Sequence, residues 1–211
     1  LVTSEPTYEH IDPVRFIGNY SSGKMGTAIA EEFARNGAEV FFVTGPAAVV
    51  PHNNPFIKVI PVVSAQQMFE AVKQYFELTD IAIMAAAVAD FTPEATSDTK
   101  IKREKDDLIL RLKPTLDIAA TLGSHKRKDQ ILVGFALETN NEKENAQAKL
   151  KKKNLDIVIL NSLNDTGAGF GHDTNKISII DTNGTYLTFD LKSKVDVAYD
   201  IVNAIFEKYY C

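Results

Sequence analysis

Three short runs of this chain are apolar at every alternate position and also at the positions between, and that feature constrains the fold more than any other. Residues 81–87 read Ile-Ala-Ile-Met-Ala-Ala-Ala, residues 131–136 Ile-Leu-Val-Gly-Phe-Ala, and residues 156–160 Asp-Ile-Val-Ile-Leu. A strand with one wet face alternates apolar and polar residues; a strand with helices on both sides does not. Such runs therefore belong in the middle of a parallel sheet, where each needs a crossover helix to reach the next.

The stretches between them supply those helices. Met25, Ala28, Ile29 and Phe33 recur at helical spacing, and Asn36-Gly37 closes that helix before a strand over residues 38–44. Residues 57–63 make a third strand, with Pro61 marking its end or a sheet edge. Ser64 caps a helix whose Met68, Phe69, Val72 and Phe76 form a core stripe. A short helix follows over residues 116–122, with Thr115 as its expected cap, and a further helix over about 142–153 sets Lys149 and Lys153 one turn apart. Two segments break the rhythm. Residues 99–103 and 108–112 alternate like a hairpin around 104–107, and residues 176–180 and 185–189 flank Asn183-Gly184, a type I′ turn signal. The final helix carries Ala198, Ile201, Val202, Ile205 and Tyr209 on one side. The expected fold is one α/β domain over residues 1–211, Rossmann-like, with a mostly parallel sheet, helices on both faces and two antiparallel excursions, the later of which could form a dimer edge.

Chemistry concentrates where the first helix begins. In Asn19-Tyr-Ser-Ser-Gly-Lys-Met-Gly26, backbone N–H groups without intrahelical partners face whatever docks there. Ser21 and Ser22 either cap those donors or hand them to a ligand, Gly23 permits close approach, and Lys24 adds a cation: an anion site, with a serine-capped helix and a solvated lysine as the plain alternative. The letters Gly18-x-x-x-x-Gly23-Lys24 are not a P-loop, because Met25 stands where Mg²⁺ requires a hydroxyl and no buried strand runs directly into the loop. The alanines at 85–87 either admit a base or ribose to the backbone or allow tight helix packing. The run Gly167-Ala-Gly-Phe-Gly171 lacks dinucleotide spacing and reads as a loop. Lys100, Lys102 and Arg103 either close over a site or form a charged outer face.

Composition limits the partners. A net charge of −5 argues against a nucleic-acid coat, and the longest apolar run, residues 81–89, is shorter than the ~20 residues of a membrane span. The one cysteine, Cys211, ends the chain, so no internal disulfide forms and a reducing, cytoplasmic setting is expected. The absence of an initiator Met hints at excision from a longer chain.

Several strings then stand in one order: Ile11-Asp-Pro-Val-Arg15, residues 19–26, Ala86-Ala-Val-Ala-Asp90, Lys100-Ile-Lys102, Gly134-Phe-Ala-Leu-Glu-Thr-Asn140, and residues 149–156. Together they closely resemble bacterial phosphopantothenoylcysteine synthetase, across essentially the whole chain. The resemblance implies a Rossmann-like homodimer that joins 4′-phosphopantothenate to L-cysteine in coenzyme A biosynthesis. CTP is cleaved to CMP and pyrophosphate through an acyl-cytidylate, with Mg²⁺ on the phosphate oxygens. It also implies a flavin-dependent decarboxylase as a fused or partner half. By position, Asn19 resembles the asparagine that holds the pantothenate carboxyl and serves cysteine's attack, and Lys100 the lysine on the phosphates; both are implied catalytic residues. Ser21, Ser22, Gly23 and Lys24 complete the substrate side. Ala86, Ala87, Asp90, Leu116, Asp117, Ile118, Ala119, Phe135, Lys149 and Lys153 match nucleotide contacts, with Asp90 open as a metal or base ligand. Two departures stand out: Ser4-Glu5 replaces a usual Ala-Gly, placing a carboxylate near an anionic substrate, and Arg103 replaces a common lysine.

Two other readings fit an α/β sheet. A nicotinamide-dependent reductase would want a glycine fingerprint in the first strand–helix turn or a Tyr-x-x-x-Lys pair, and neither is expected here. A non-catalytic nucleotide-binding module is separated from a ligase by pyrophosphate release that depends on cysteine and phosphopantothenate.

Overall fold

The computed structural model describes residues 1–46, 49, 51–103, 106–162, 164–165, 167–169 and 171–210. The main sheet contains β1 (Val2–Ser4), β2 (Val40–Thr44), β3 (Ile57–Pro61), β4 (Ile81–Met84), β5 (Ile131–Glu138), β6 (Ile157–Ser162), β7 (Ile177–Asp181) and β8 (Tyr186–Thr188). The helices are α1 (Lys24–Arg35), α2 (Ala65–Phe76), α3 (Ile118–His125), α4 (Glu142–Lys152) and α5 (Lys194–Tyr209). Across the sheet the strand order is β8-β7-β6-β5-β4-β1-β2-β3. Pairs from β3 to β6 are parallel, and β7 and β8 extend the sheet antiparallel. The parallel part is thus the 3-2-1-4-5-6 order of a Rossmann sheet, whose strand order reverses between β1 and β4.

Apolar runs become central strands because each face has its own core. Ile83 packs in one cluster with Val2, Phe42 and Val133 beneath Ile29 and Phe33 of α1 and Ile201 and Ile205 of α5. Its neighbour Ala82 packs in the other, with Val43, Leu132 and Val158 beneath Met68 and Val72 of α2, Leu122 of α3 and Leu150 of α4. Pro61 ends β3 on the sheet's edge, as its missing N–H requires. Among the described residues no helix is long and apolar enough to cross a membrane.

Three local expectations are corrected. Residues 99–103 do not pair with 108–112; instead Phe91–Pro93 pairs antiparallel with Leu112–Pro114, and Glu104 of the expected turn lies outside the described residues. The cause is competition for the backbone: Ser97 N donates to Ile11 O at 3.0 Å and Ile101 N to Asp12 Oδ2 at 3.1 Å, so those donors are already satisfied. The cap of α3 is Asp117, which accepts from Ala120 N at 3.1 Å, while Thr115 donates its hydroxyl to Ala89 O at 2.6 Å. Asn183-Gly184 does not form a two-residue type I′ turn. Gly184 has φ 85° but Asn183 does not share a positive φ, and Asp181 Oδ1 accepts from Asn183 N and Thr185 N at 2.8 and 3.0 Å, holding a longer loop. Cys211 and Phe170, named in the sequence, lie outside the described residues.

Helix α1 seats unusually close to β1. A Cβ on Gly26 would lie 2.4 Å from Ser4 Oγ and 2.7 Å from Ser4 Cβ, so only glycine allows the first turn of α1 to rest on the strand end. Gly26→Ala should therefore lower stability by roughly 1–3 kcal/mol through overpacking. Urea denaturation at unchanged m-value checks this, and an unaltered midpoint would refute the close seating.

Candidate functional site

The switch point opens a cleft of about 560 Å³ at the carboxyl ends of β1, β4 and β5 and the start of α1. Its alanines reach it because residues 85–89 leave the sheet and are tacked onto the continuation of β1. Ala86 N donates to Thr3 Oγ1 at 3.2 Å, Ala87 N to Glu5 O at 3.0 Å and Ala89 N to Thr7 Oγ1 at 3.0 Å. The small side chains of Ala85, Ala86 and Ala87 line the cleft, and Ala85 and Ala86 also pack against the two cores.

Asn19 sits on the same wall. Its Nδ2 donates to Ala87 O at 3.0 Å and Val88 O at 3.3 Å, fixing the carboxamide to the alanine segment. Ser21, Ser22, Gly23 and Lys24 follow along the rim. Gly23 is the N-cap of α1 with φ 63°, and no side chain caps the helix. The first intrahelical bond is Thr27 N to Gly23 O at 3.0 Å, so the N–H groups of Lys24, Met25 and Gly26 precede it. Ser21 Oγ accepts only from Gly23 N, at 3.4 Å. Among the described residues neither serine caps the N–H groups of Lys24, Met25 and Gly26.

The opposite wall is the start of α3 with α4. Asp90, Leu116, Asp117, Ile118 and Ala119 line it with Phe135 of β5 and with Lys149 and Lys153. Lys153 Nζ reaches Asp117 Oδ1 at 3.0 Å. Burial pushes the Asp117 carboxyl up, but the Ala120 N–H and Lys153 hold it below the usual carboxylate range. Lys149 has no ion pair among the described residues. Burial and neighbouring Lys153 push its ammonium below the usual lysine range, against Glu138, Asp117 and Asp90. A half-buried cation without a carboxylate partner is suited to an anionic ligand.

Lys100 stands apart from its proposed companions. It is exposed, as are Lys102 and Arg103, and it does not line the cleft. The excursion carrying it is anchored by Asp12 and Arg15. Arg15 Nη2 lies 2.6 Å from Asp12 Oδ2 and donates to Ile101 O at 2.5 Å. Burial pushes the Asp12 carboxyl up, but N–H groups of Val14, Ile101 and Arg15 and the Arg15 guanidinium outweigh it and hold the group at about 2. Lys100, Lys102 and Arg103 thus lie on an exposed segment whose Ile101 is tied to Asp12 and Arg15.

Lys194, Asn175 and Asn161 are among the lining residues that the sequence analysis did not single out. Lys194, 7% exposed, donates from Nζ to His172 O at 2.7 Å and Gly169 O at 3.2 Å. Burial and Lys24 push it below the usual lysine range, with Asp173 opposing. Asn175 is buried, and Asn161 Oδ1 is a buried oxygen without a donor among the described residues. All three come from the far half of the chain, where only their polarity beside apolar strands hinted at a site. Lys24 Nζ pairs with Asp173 Oδ1 at 2.5 Å. The expected absence of a Tyr-x-x-x-Lys pair is corrected: Tyr20 and Lys24 stand at that spacing, but Tyr20 is 94% exposed and does not line the cleft. Among the described residues no cluster of three His, Cys, Asp or Glu could cage a metal. A Mg²⁺ carried on phosphate oxygens needs only one or two carboxylates, and Asp90 on the cleft wall fits that demand.

Residues 1–209 match the family model described as the DNA/pantothenate metabolism flavoprotein C-terminal domain. The chain is similar to a protein named cysteine/cysteine sulfinic acid decarboxylase, from an unknown prokaryotic organism, at 56% identity over 97% of this chain and 57% of that protein. It is similar to coenzyme A biosynthesis bifunctional protein CoaBC of Bacillus subtilis at 44% identity, over 97% of this chain and 50% of that protein. The chain thus spans about half the length of these curated relatives. A crystal structure of the C-terminal domain of a coenzyme A biosynthesis bifunctional protein CoaBC superposes with a TM-score of 0.81 at 39% identity, over 96% of this chain and 91% of that one.

Removing the Asp12 carboxylate should release the 97–103 excursion. Asp12→Asn is expected to speed tryptic cleavage after Lys100, Lys102 or Arg103 severalfold relative to cleavage elsewhere, read by mass spectrometry of a time course. Equal rates in the two proteins would show that Asp12 does not anchor the segment.

Proposed function

The chain belongs to the family of the DNA/pantothenate metabolism flavoprotein C-terminal domain, and on that footing we propose that it is a CTP-dependent ligase joining 4′-phosphopantothenate to L-cysteine. The observation that carries the reading is one cleft in which Lys24, Lys149, Lys153 and Lys194 surround Asn19 and an alanine wall. A carboxylate and a triphosphate repel each other, and ammonium groups on separate elements offset that repulsion.

In the first step a carboxylate oxygen of phosphopantothenate bonds to the α-phosphorus of CTP. The bond from that phosphorus to the bridging oxygen breaks, and pyrophosphate leaves. In the second the cysteine amine bonds to the acyl carbon, the bond to CMP breaks, and the amine gives up a proton. Lys149 would stabilise charge on the phosphates, and Asn19 would orient the carboxyl by exchanging its bonds to Ala87 O and Val88 O for the substrate. A Mg²⁺ held at Asp90 would neutralise charge on the leaving pyrophosphate. Lys100 would serve the phosphates only where the excursion closes over a cleft, its own or that of a second copy. A homodimer through the β8 edge, where Tyr186 and Leu187 are exposed, would bring copies together.

A second reading is favoured by the decarboxylase name of the 56% identical relative. On it, the chain is the nucleotide-binding half of a decarboxylase and turns over no nucleotide. Pyrophosphate release with CTP, ATP or UTP, with and without cysteine and phosphopantothenate, separates the two. The ligase reading expects release with CTP once phosphopantothenate is present, and an amide product only with cysteine; no release with any nucleotide would sink it.

Lys149→Gln should slow pyrophosphate release by about 10²–10³-fold, the usual effect of losing one group that stabilises developing charge. Asn19→Asp should let the acyl-cytidylate accumulate in a quench experiment, because the second step is the one it serves. Unchanged release in the first variant, or no intermediate in the second, would remove that residue from the mechanism.

A further inference from the structure

Glu5 is the buried group that the reaction above leaves unused. It follows β1 with φ 68°, a left-handed conformation costly for a side-chain-bearing residue, and it is 2% exposed. Its Oε1 is buried with no hydrogen-bond partner among the described residues. The carboxyl lies against Gly23, the uncapped start of α1: a Cβ on Gly23 would sit 1.9 Å from Glu5 Oε1 and 2.1 Å from its Cδ.

We infer that Glu5 competes electrostatically for the anion site at the start of α1, so that a phosphate or similar anion settles there only when the Glu5 carboxyl carries a proton. The inference rests on reading residues 21–24 as an anion site. The unbonded N–H groups of a helix start carry about half a positive charge, which one anion satisfies. Gly23 lines the cleft and Glu5 does not, so an ionised Glu5 would act across the glycine turn, repelling a ligand a few ångströms away.

Among the described residues no cation pairs with Glu5. On its own segment the nearest acid, Glu9, is engaged with Ala65 N at 2.7 Å. Lys24, which opens α1, has its ammonium 2.5 Å from Asp173. From the 45–49 loop comes the Val49 N–H, and from the 85–89 segment the Ala87 N–H, which meets Glu5 O rather than the carboxyl. His172, Asp173 and Lys194 stand at the same end of the cleft, beyond Lys24. Burial pushes the Glu5 carboxyl up to about 7, against the Val49 N–H, so the group changes charge near neutrality.

Sulfate is a suitable probe because its charge is constant from pH 5.5 to 8.5. Titration of ¹⁵N-labelled protein with sodium sulfate at constant ionic strength, followed at the amides of Gly23, Lys24, Met25 and Gly26, should show affinity falling about tenfold or more between pH 6 and pH 8.5. That is the loss expected when one carboxyl near 7 must be protonated for binding. In Glu5→Gln the fall should shrink to whatever His172 and the lysines contribute, and affinity at pH 8.5 should exceed wild type. Glu5→Gly, which suits the left-handed backbone, should behave like Glu5→Gln. Should either variant fail to fold, the ¹³C carboxyl resonance of Glu5 in the wild type provides the reading, with its titration midpoint moving up when sulfate is present.

A fall in affinity equal in all three proteins, or a Glu5 midpoint indifferent to sulfate, overturns the inference and leaves the anion site standing. No sulfate response at these amides in any protein at any pH overturns both. Neither result depends on ligase turnover, so the proposed reaction is tested separately.

Discussion

Everything at the site depends on β1 pairing in parallel with β2 on one side and β4 on the other. A strand so placed sends its crossover helices to opposite faces of the sheet, and the diverging connections leave a gap at its carboxyl end. Here that gap is floored by residues 85–89, which are held by the hydroxyls of Thr3 and Thr7. Two threonines beside β1 thus convert a small-residue strand end into a wall that a ligand can approach. Gly26, resting on Ser4, brings the start of α1 to the same point.

Charge distribution then decides what such a gap can hold. Four lysines line it, of which Lys24 and Lys153 are paired with Asp173 and Asp117. Lys149 has no ion pair among the described residues, and Lys194 is tied to main-chain carbonyls. Positive charge left without carboxylates in a partly buried place favours acidic ligands. Glu5 adds the opposing element, a buried acid against Gly23 whose pKa burial raises.

Much of the fold was legible because burial writes itself into sequence twice over. The run at residues 81–87 shows a side chain for each core, and the stripes of α2 and α5 show one. Motif strings carried the family resemblance, and the match over residues 1–209 bears it out. Local signals failed where a distant group competed for the backbone. In the hairpin expected at 99–112 the Ile101 N–H is taken by Asp12, and the Asn183-Gly184 turn was reshaped by the Asp181 carboxylate. Thr115 lost its expected capping place to Asp117, two residues on.

By itself the sequence determined the layers of this protein, the serine–glycine start of α1 and the pair of lysines on α4, since each depends on neighbours a few residues apart. The tertiary structure decided the rest. It joined Asn19, Ala87, Asp117, Lys149 and Lys194 around one cleft, kept Lys100 outside it, and turned Glu5 inward against Gly23. These are outcomes of which strands lie side by side, and chain-local patterns carry no record of that adjacency.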